Sequence, residues 1–294
     1  MDWIIYSLLA TCSWAFVNVI DKFTLSKLVK SPLLPVFALS LVGIVASLII
    51  FLIQGLAVLP LHLALLALLA GVIYLLVMYF YYQAIKLEEV SKVIPLYYLS
   101  PIFTLLGSTL LLGEKPNFSQ ELAIVLLVIG AIGISFKPSF QMNINKAAIF
   151  ILLAAISYSL NQIITKYLLS YADFWTIFSY GRIGLFLVVM PILCFKFRLL
   201  SSELKYFSLK ATSLITFNQI LNVSGVLLIT IALTKGYVSL VNGLTSIQPA
   251  LVFVIATSLS LFFPHLMKES TEKSELIQKA LATLIIIIGS ILIA

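Results

Sequence analysis

Ten stretches of this chain run for the length of a membrane crossing with almost no charge inside them, which limits the fold more than any motif does. A helix needs about 20 apolar residues to cross the hydrocarbon of a bilayer. The stretches fall at residues 3–21, 33–53, 61–84, 93–112, 119–136, 147–167, 174–195, 211–234, 238–263 and 276–294. Their apolar residues are continuous rather than alternating, so the spans read as helices and not as barrel strands. Of 294 residues, 62% are hydrophobic and 10% charged, against about 25% charged in soluble domains. The longest polar connections, Lys196 to Lys210 and Pro264 to Lys279, leave no room for a soluble domain. The opening MDWIIYSLL has neither a basic n-region nor a cleavage pattern of small residues, and reads as a retained first span.

The spans fall into two matching sets. Val93 to Lys115 carries a proline in its middle, and Val238 to Phe263 repeats that layout. Laying Val90-Ser91 on Val238-Ser239 puts Pro101 on Pro249, an offset of 148 residues. At an offset of 144, Trp14, Asn18 and Lys22 meet Tyr158, Gln162 and Lys166: aromatic on aromatic, amide on amide, lysine on lysine. Ala84 and Ala232, each ending a span, are again 148 apart. The chain therefore reads as residues 1–140 and 141–294, two five-helix repeats in one integral membrane domain. Five is odd, so the repeats enter the bilayer in opposite senses. The expected fold is all-α, with ten transmembrane helices as two inverted repeats.

Charge gives an expected orientation. Of the 18 Lys and Arg, fourteen lie in or beside the connections after spans 1, 3, 5, 7 and 9, and Lys115, Lys166 and Lys235 lie on the other side. Basic connections face the cytoplasm, which puts both termini outside. The net charge of +7 comes from single residues between apolar runs rather than a patch with interleaved aromatics, so no nucleic-acid partner is expected. Cys12 and Cys194 sit within spans, and His62 and His265 in separate connections, so neither a disulfide framework nor a metal site is expected. No cofactor is implied. Expected partners are a small-molecule substrate and the lipid bilayer, with monomer or homodimer left open.

Polar residues inside the spans are the candidate site. Arg182 is the one charge well inside a span; its bidentate fork suits a carboxylate or phosphate, and bonding to carbonyls or snorkelling is the plain alternative. Asn218 and Asn222 are one turn apart in span 8, with Gln219 beside them, and Asn222 overlays Tyr74 of span 3. They suit a polar solute or interhelical hydrogen bonds equally. Tyr74 and Tyr97 are deep enough to line a cavity, whereas Tyr81 and Tyr82 read as an interfacial belt. Trp14, Asn18, Tyr158, Asn161 and Gln162 fall on the repeat interface, with helix packing as the plain reading. Pro101 and Pro249 free the carbonyls of Tyr97 and Thr245 and can bend or hinge their spans. Tyr97, Pro101, Thr104 and Ser108 share one face; Asn242, Thr245 and Pro249 share the related one, with Gln248 beside them. Glu114 reads as a boundary residue pairing with Lys115 or a nearby loop. Asp21, Glu88 and Glu89 read as solvated span ends, leaving no mid-span carboxylate for a proton relay.

The order of spans, with SWAF in span 1, LSPIFTLLGSTLLLGE in span 4 and SYGRIGLF in span 7, resembles the EamA branch of the drug/metabolite transporter superfamily over essentially the whole chain. The resemblance implies a ten-helix secondary transporter or exporter of small metabolites, often amino acids, with a central cavity enclosed by inverted repeats. It departs in three places. Phe262-Phe263-Pro264 stands where Gly-Glu would recur, Ala38-Leu39 where an arginine like Arg182 would be expected, and the usual basic C-terminal tail is missing. Family members also usually hold both termini in the cytoplasm, opposite to the charge count.

Other classes have weaker support. An intramembrane enzyme would need a nucleophile–base pair or a metal set, and the sequence has no His-Glu-x-x-His and no Gly-x-Ser-x-Gly. Ser202-x-x-Lys205 sits in a basic loop. A lipid or lipid-linked sugar flippase would show a lateral opening between spans, and a scaffold a solid centre. The expected function is transport of a small polar, amino-acid-like solute by a non-enzymatic multi-pass protein of the cell (inner or plasma) membrane.

Overall fold

A computed structural model describes residues 2–27, 33–87, 95–135, 146–195, 209–262 and 273–293. Most of the basic connections counted above, Phe263, Pro264, Glu88, Glu89 and His265 lie outside the described residues. Eleven helices follow in order: α1 (Asp2–Lys27), α2 (Leu33–Gln54), α3 (Leu61–Leu87), α4 (Ser100–Leu111), α5 (Phe118–Ser135), α6 (Lys146–Leu168), α7 (Phe174–Phe195), α8 (Leu209–Lys235), α9 (Val238–Thr245), α10 (Gln248–Phe262) and α11 (Lys273–Ile293). Among the described residues there is no strand. Eight segments are long and apolar enough to cross a membrane, with α9 and α10 together forming one of them; Pro95–Leu111 and Ile277–Ile293 are shorter apolar helices.

The helices pack in pairs across the chain. α3 lies against α6 and α7, and α8 against α1 and α2. α4 lies against α6 and α9, and α1 against α9 and α10. α2 pairs with α7, and α5 with α11. Buried Leu39, Phe178, Leu185 and Val223 form a core where α2, α7 and α8 meet, and Ile124, Leu127, Leu244 and Ile286 a second one under α5, α9 and α11. Leu52, Leu110, Leu187 and Ile291 are among many large apolar side chains left on the surface, as lipid as solvent requires.

Both proline-bearing spans are broken at matching places. The turn at residues 98–99 precedes Pro101, and that at 246–247 precedes Pro249, so the breaks share the 148-residue offset. The proline cannot donate to the carbonyl four residues back, and its ring crowds that turn. At the second break the Ser246 and Ile247 amides fall back on Gly243 and Leu244 (3.0 and 3.1 Å). At the first, the Ser100 carbonyl accepts from Thr104 Oγ1 (3.0 Å) and from Ser159 Oγ of α6 (2.8 Å).

Glycine makes the α3–α7 crossing possible. A Cβ on Gly71 would strike the Gly181 carbonyl oxygen, and one on Gly184 the Leu68 carbonyl oxygen. The backbones touch, as small residues allow in membranes. One end of the bundle is tied by polar contacts. Glu114 is buried, not a solvated boundary residue: Oε1 accepts from the Val238 amide (2.7 Å) and Oε2 from Ser239 Oγ (3.0 Å), so it caps α9. Lys166 Nζ donates to the Leu233 and Gly236 carbonyls (2.6 and 2.7 Å) at the C-terminus of α8, where a cation is favoured. Lys235 pairs with Asp2 at 2.7 Å on the surface of the same end.

Two stability outcomes follow. Gly184→Val should cost at least about 1–3 kcal/mol through overpacking, whereas Gly181→Ala, whose Cβ would meet nothing within 4 Å, should be nearly silent in a detergent melting experiment. Glu114→Ala should cost about 2 kcal/mol by uncapping α9, and Glu114→Gln clearly less; equal melting points for the two variants would remove the capping role.

Candidate functional site

A glycine positions the deepest charge. The Arg182 side chain leaves α7 over Gly43 of α2, where an added Cβ would meet its Cδ at 3.0 Å. With that space free, the stem runs inward and the guanidinium lies over the Tyr74 ring (4.9 Å from its centroid) and beside Phe178 (5.6 Å). Arg182 is 5% exposed, and neither Nε nor Nη1 has a hydrogen-bond partner. No carboxylate among the described residues pairs with it. Two aromatic faces offset part of the desolvation cost, but two donors stay unmet in a medium where such atoms are expensive.

Tyr74 links the arginine to α8. Its hydroxyl donates to Asn222 Oδ1 over a long 3.4 Å. These are the two residues that the 148-residue offset overlays. One turn earlier, Asn218 Nδ2 donates to Asp21 Oδ1 at 2.6 Å. Asp21 is thus not a solvated span end: α1 continues to Lys27, and the carboxylate is half-buried within the bundle. Asn218 is 1% exposed and its own Oδ1 has no donor; the same holds for Gln219 Oε1.

Tyrosines extend the wall. Tyr81 contacts Tyr82 and Tyr97, and Tyr97 contacts Tyr98 and Tyr158, with ring centroids 5.6 to 6.3 Å apart. Tyr81, Tyr82, Tyr97 and Tyr98 each keep part of their surface accessible. Tyr81 thus packs on a ring from the next span, and Tyr82 on Tyr81. Tyr158 accepts from Gln162 Nε2 at 2.8 Å. Gln162, Asn161, Arg182, Thr165 and Thr230 border a cavity of about 30 Å³, the size of one water.

The other candidates are engaged differently. The Trp14 indole lies on Gly225 of α8, where a Cβ would come within 2.6 Å of Nε1. Asn161 Nδ2 donates to the Ala70 carbonyl (2.6 Å), tying α6 to α3. Asn242 is fully buried; its Nδ2 donates to Thr104 Oγ1 and its carbonyl accepts from Thr245 (2.7 Å), so it joins α4 to α9. Asn18 is exposed, and Gln248 lies half-buried beside the break before buried Pro249. Between α2 and α8 an apolar groove of about 380 Å³, bordered by Leu34, Phe37, Leu41 and Ile215, faces the lipid side. Among the described residues no group of His, Cys, Asp and Glu could hold a metal ion.

An all-helical bundle of membrane-length segments around a polar, tyrosine-lined interior defines a multi-pass membrane protein. Residues 1–136 match the model of the EamA-like transporter family, consistent with membership of the drug/metabolite transporter superfamily. A search of curated proteins finds no match. A protein crystal structure shares the fold, with a TM-score of 0.74 at 12% identity over 99% of this chain and 96% of the other. The chain is accordingly a multi-pass membrane protein whose first 136 residues are similar to a transporter family.

Unmet donors on Arg182 predict a trade-off between stability and function. Arg182→Met, which keeps most of the volume, should leave stability unchanged or raise it by about 1–2 kcal/mol, read as the melting point in detergent. A large loss on that substitution would mark the guanidinium as structural.

Proposed function

We propose that this chain is a secondary transporter of a small, polar, amino-acid-like solute with an anionic group, working by alternating access in the cell (inner or plasma) membrane. Residues 1–140 and 141–294 act as inverted five-helix repeats around the site. The observation that carries this reading is Arg182, a fixed cation in the core with donors that no protein group meets. A carboxylate or phosphate is the ligand that would meet them.

The repeat reading is supported by packing that survives exchange of the two halves. Swapping them turns α3 against α6 into α8 against α1, and α3 against α7 into α8 against α2, all of which occur. Tyr74 touching its own equivalent, Asn222, is what a two-fold passing between them would require. Matching breaks at 98–99 and 246–247 suit a pair of hinges at Pro101 and Pro249. The polar ties at Glu114, Lys166 and Lys235 close one end, and Asp21, Tyr81 and Tyr82 lie toward the other. That asymmetry supports a state open on one side.

Reconstituted into liposomes, the protein should take up an anionic or zwitterionic member of an amino-acid panel. Arg182→Ala should lower that uptake at least tenfold, the scale of one lost charge-assisted contact of about 1.5–3 kcal/mol. Equal uptake by that variant would end the assignment of Arg182 as the anion-docking residue.

A further inference from the structure

The bundle holds a second charged group that complements the first. Asp21 presents a half-buried carboxylate whose Oδ1 is fixed by Asn218 Nδ2 at 2.6 Å. No basic side chain among the described residues lies within ion-pair distance of it. Beside it, Asn218 Oδ1 and Thr24 Oγ1, one turn along α1 from Asp21, are buried with no hydrogen-bond partner. This corner therefore offers a negative charge and unmet acceptor oxygens, and what satisfies such a set is a cationic donor. Across the Tyr74–Asn222 contact, Arg182 offers a positive charge and unmet donors. The Tyr74 ring lies 4.9 Å from the Arg182 guanidinium. One wall thus carries excess acceptors at one end and excess donors at the other.

We infer that Asp21 and Asn218 form an ammonium subsite, and that the transported solute is an elongated dipolar ion with its anionic end on Arg182 and its cationic end on Asp21. The inference rests on the reading of Arg182 given above and adds the second contact and a length. Asn218 and Asn222 are four residues apart on one helix face, a rise of about 6 Å. Asp21 lies beyond the first and Arg182 beyond the partner of the second. The separation this proposal gives the two charges is at least one helix turn, longer than the ammonium–carboxylate distance within an α-amino acid, whose two groups share one carbon. A solute carrying them on opposite ends of a chain of several carbons fits the spacing.

The test is binding to the purified full-length protein, by competition and by thermal shift, with glycine, hexanoate, adipate and 6-aminohexanoate as probes. Wild type should bind 6-aminohexanoate at least tenfold tighter than hexanoate or adipate, and far tighter than glycine. In Asp21→Asn the preference over hexanoate should vanish while hexanoate binding is kept, and Asp21→Glu should restore part of it. A wild type that treats 6-aminohexanoate and hexanoate alike, or that binds none of the probes, overturns the inference without any variant. So does an Asp21→Asn protein with unchanged selectivity but altered pH dependence of uptake, which would make Asp21 a proton carrier instead. Loss of hexanoate binding in Arg182→Gln, with no effect of Asp21→Asn on selectivity, would leave the anion site standing and remove only the ammonium subsite.

Discussion

A bilayer offers no hydrogen bonds, so each polar group that this chain takes below the headgroups has to find its partner inside the bundle. Most do. Serine and threonine hydroxyls return to carbonyls one turn back, Asn161 and Asn242 bridge neighbouring helices, and Glu114 and Lys166 meet helix ends whose backbone groups would otherwise be unpaired. Against that background the exceptions stand out. Among them Arg182 keeps two donors unmet and Asn218 one acceptor, and these two residues flank a single tyrosine–asparagine contact. A static structure gains nothing from such groups. A protein that must bind a polar solute and release it gains from them, because the solute supplies the missing partners only while it is bound.

How much of this could be read from the chain depends on how far each signal travels. The spans were legible because hydrocarbon thickness sets their length, and the breaks in spans 4 and 9 because proline acts on its own turn. Arg182 was legible because a lone charge in an apolar run has few meanings. Tyr74 and Asn222 were linked by the repeat offset before the structure brought them together. Asp21 was not legible: Lys22 follows it, and a carboxylate beside a lysine looks like the edge of a span. Only the continuation of α1 to Lys27 and the position of Asn218, 197 residues away, place it inside. Glu114 misled for a related reason, since its partners are backbone amides of α9, and amides leave no mark in a sequence. Tyr81 and Tyr82 read as interfacial by their distance from the span end; they also share the face of Tyr74, and Tyr81 meets Tyr97.

The two ends of the bundle differ in kind. One is held by groups whose partners are mostly main-chain atoms, with fixed geometry and little access to water. The other gathers side chains that keep accessible surface. Proline breaks interrupt spans 4 and 9, whereas α1 runs unbroken from Asp2 at the tied end to Asp21. The backbone-to-backbone contact of α3 and α7, made through Gly71 and Gly184, joins the two halves, with Leu63 and Ala67 packed on Ile177 beside it.

The cavity beside Arg182 holds about 30 Å³, less than any organic solute. Admitting one therefore means enlarging the protein's cross-section within the membrane, which does work against the lateral pressure of the surrounding lipid. On the transport reading proposed above, affinity is for that reason a joint property of protein and bilayer: tightly packed acyl chains oppose occupancy, and loosely packed ones favour it.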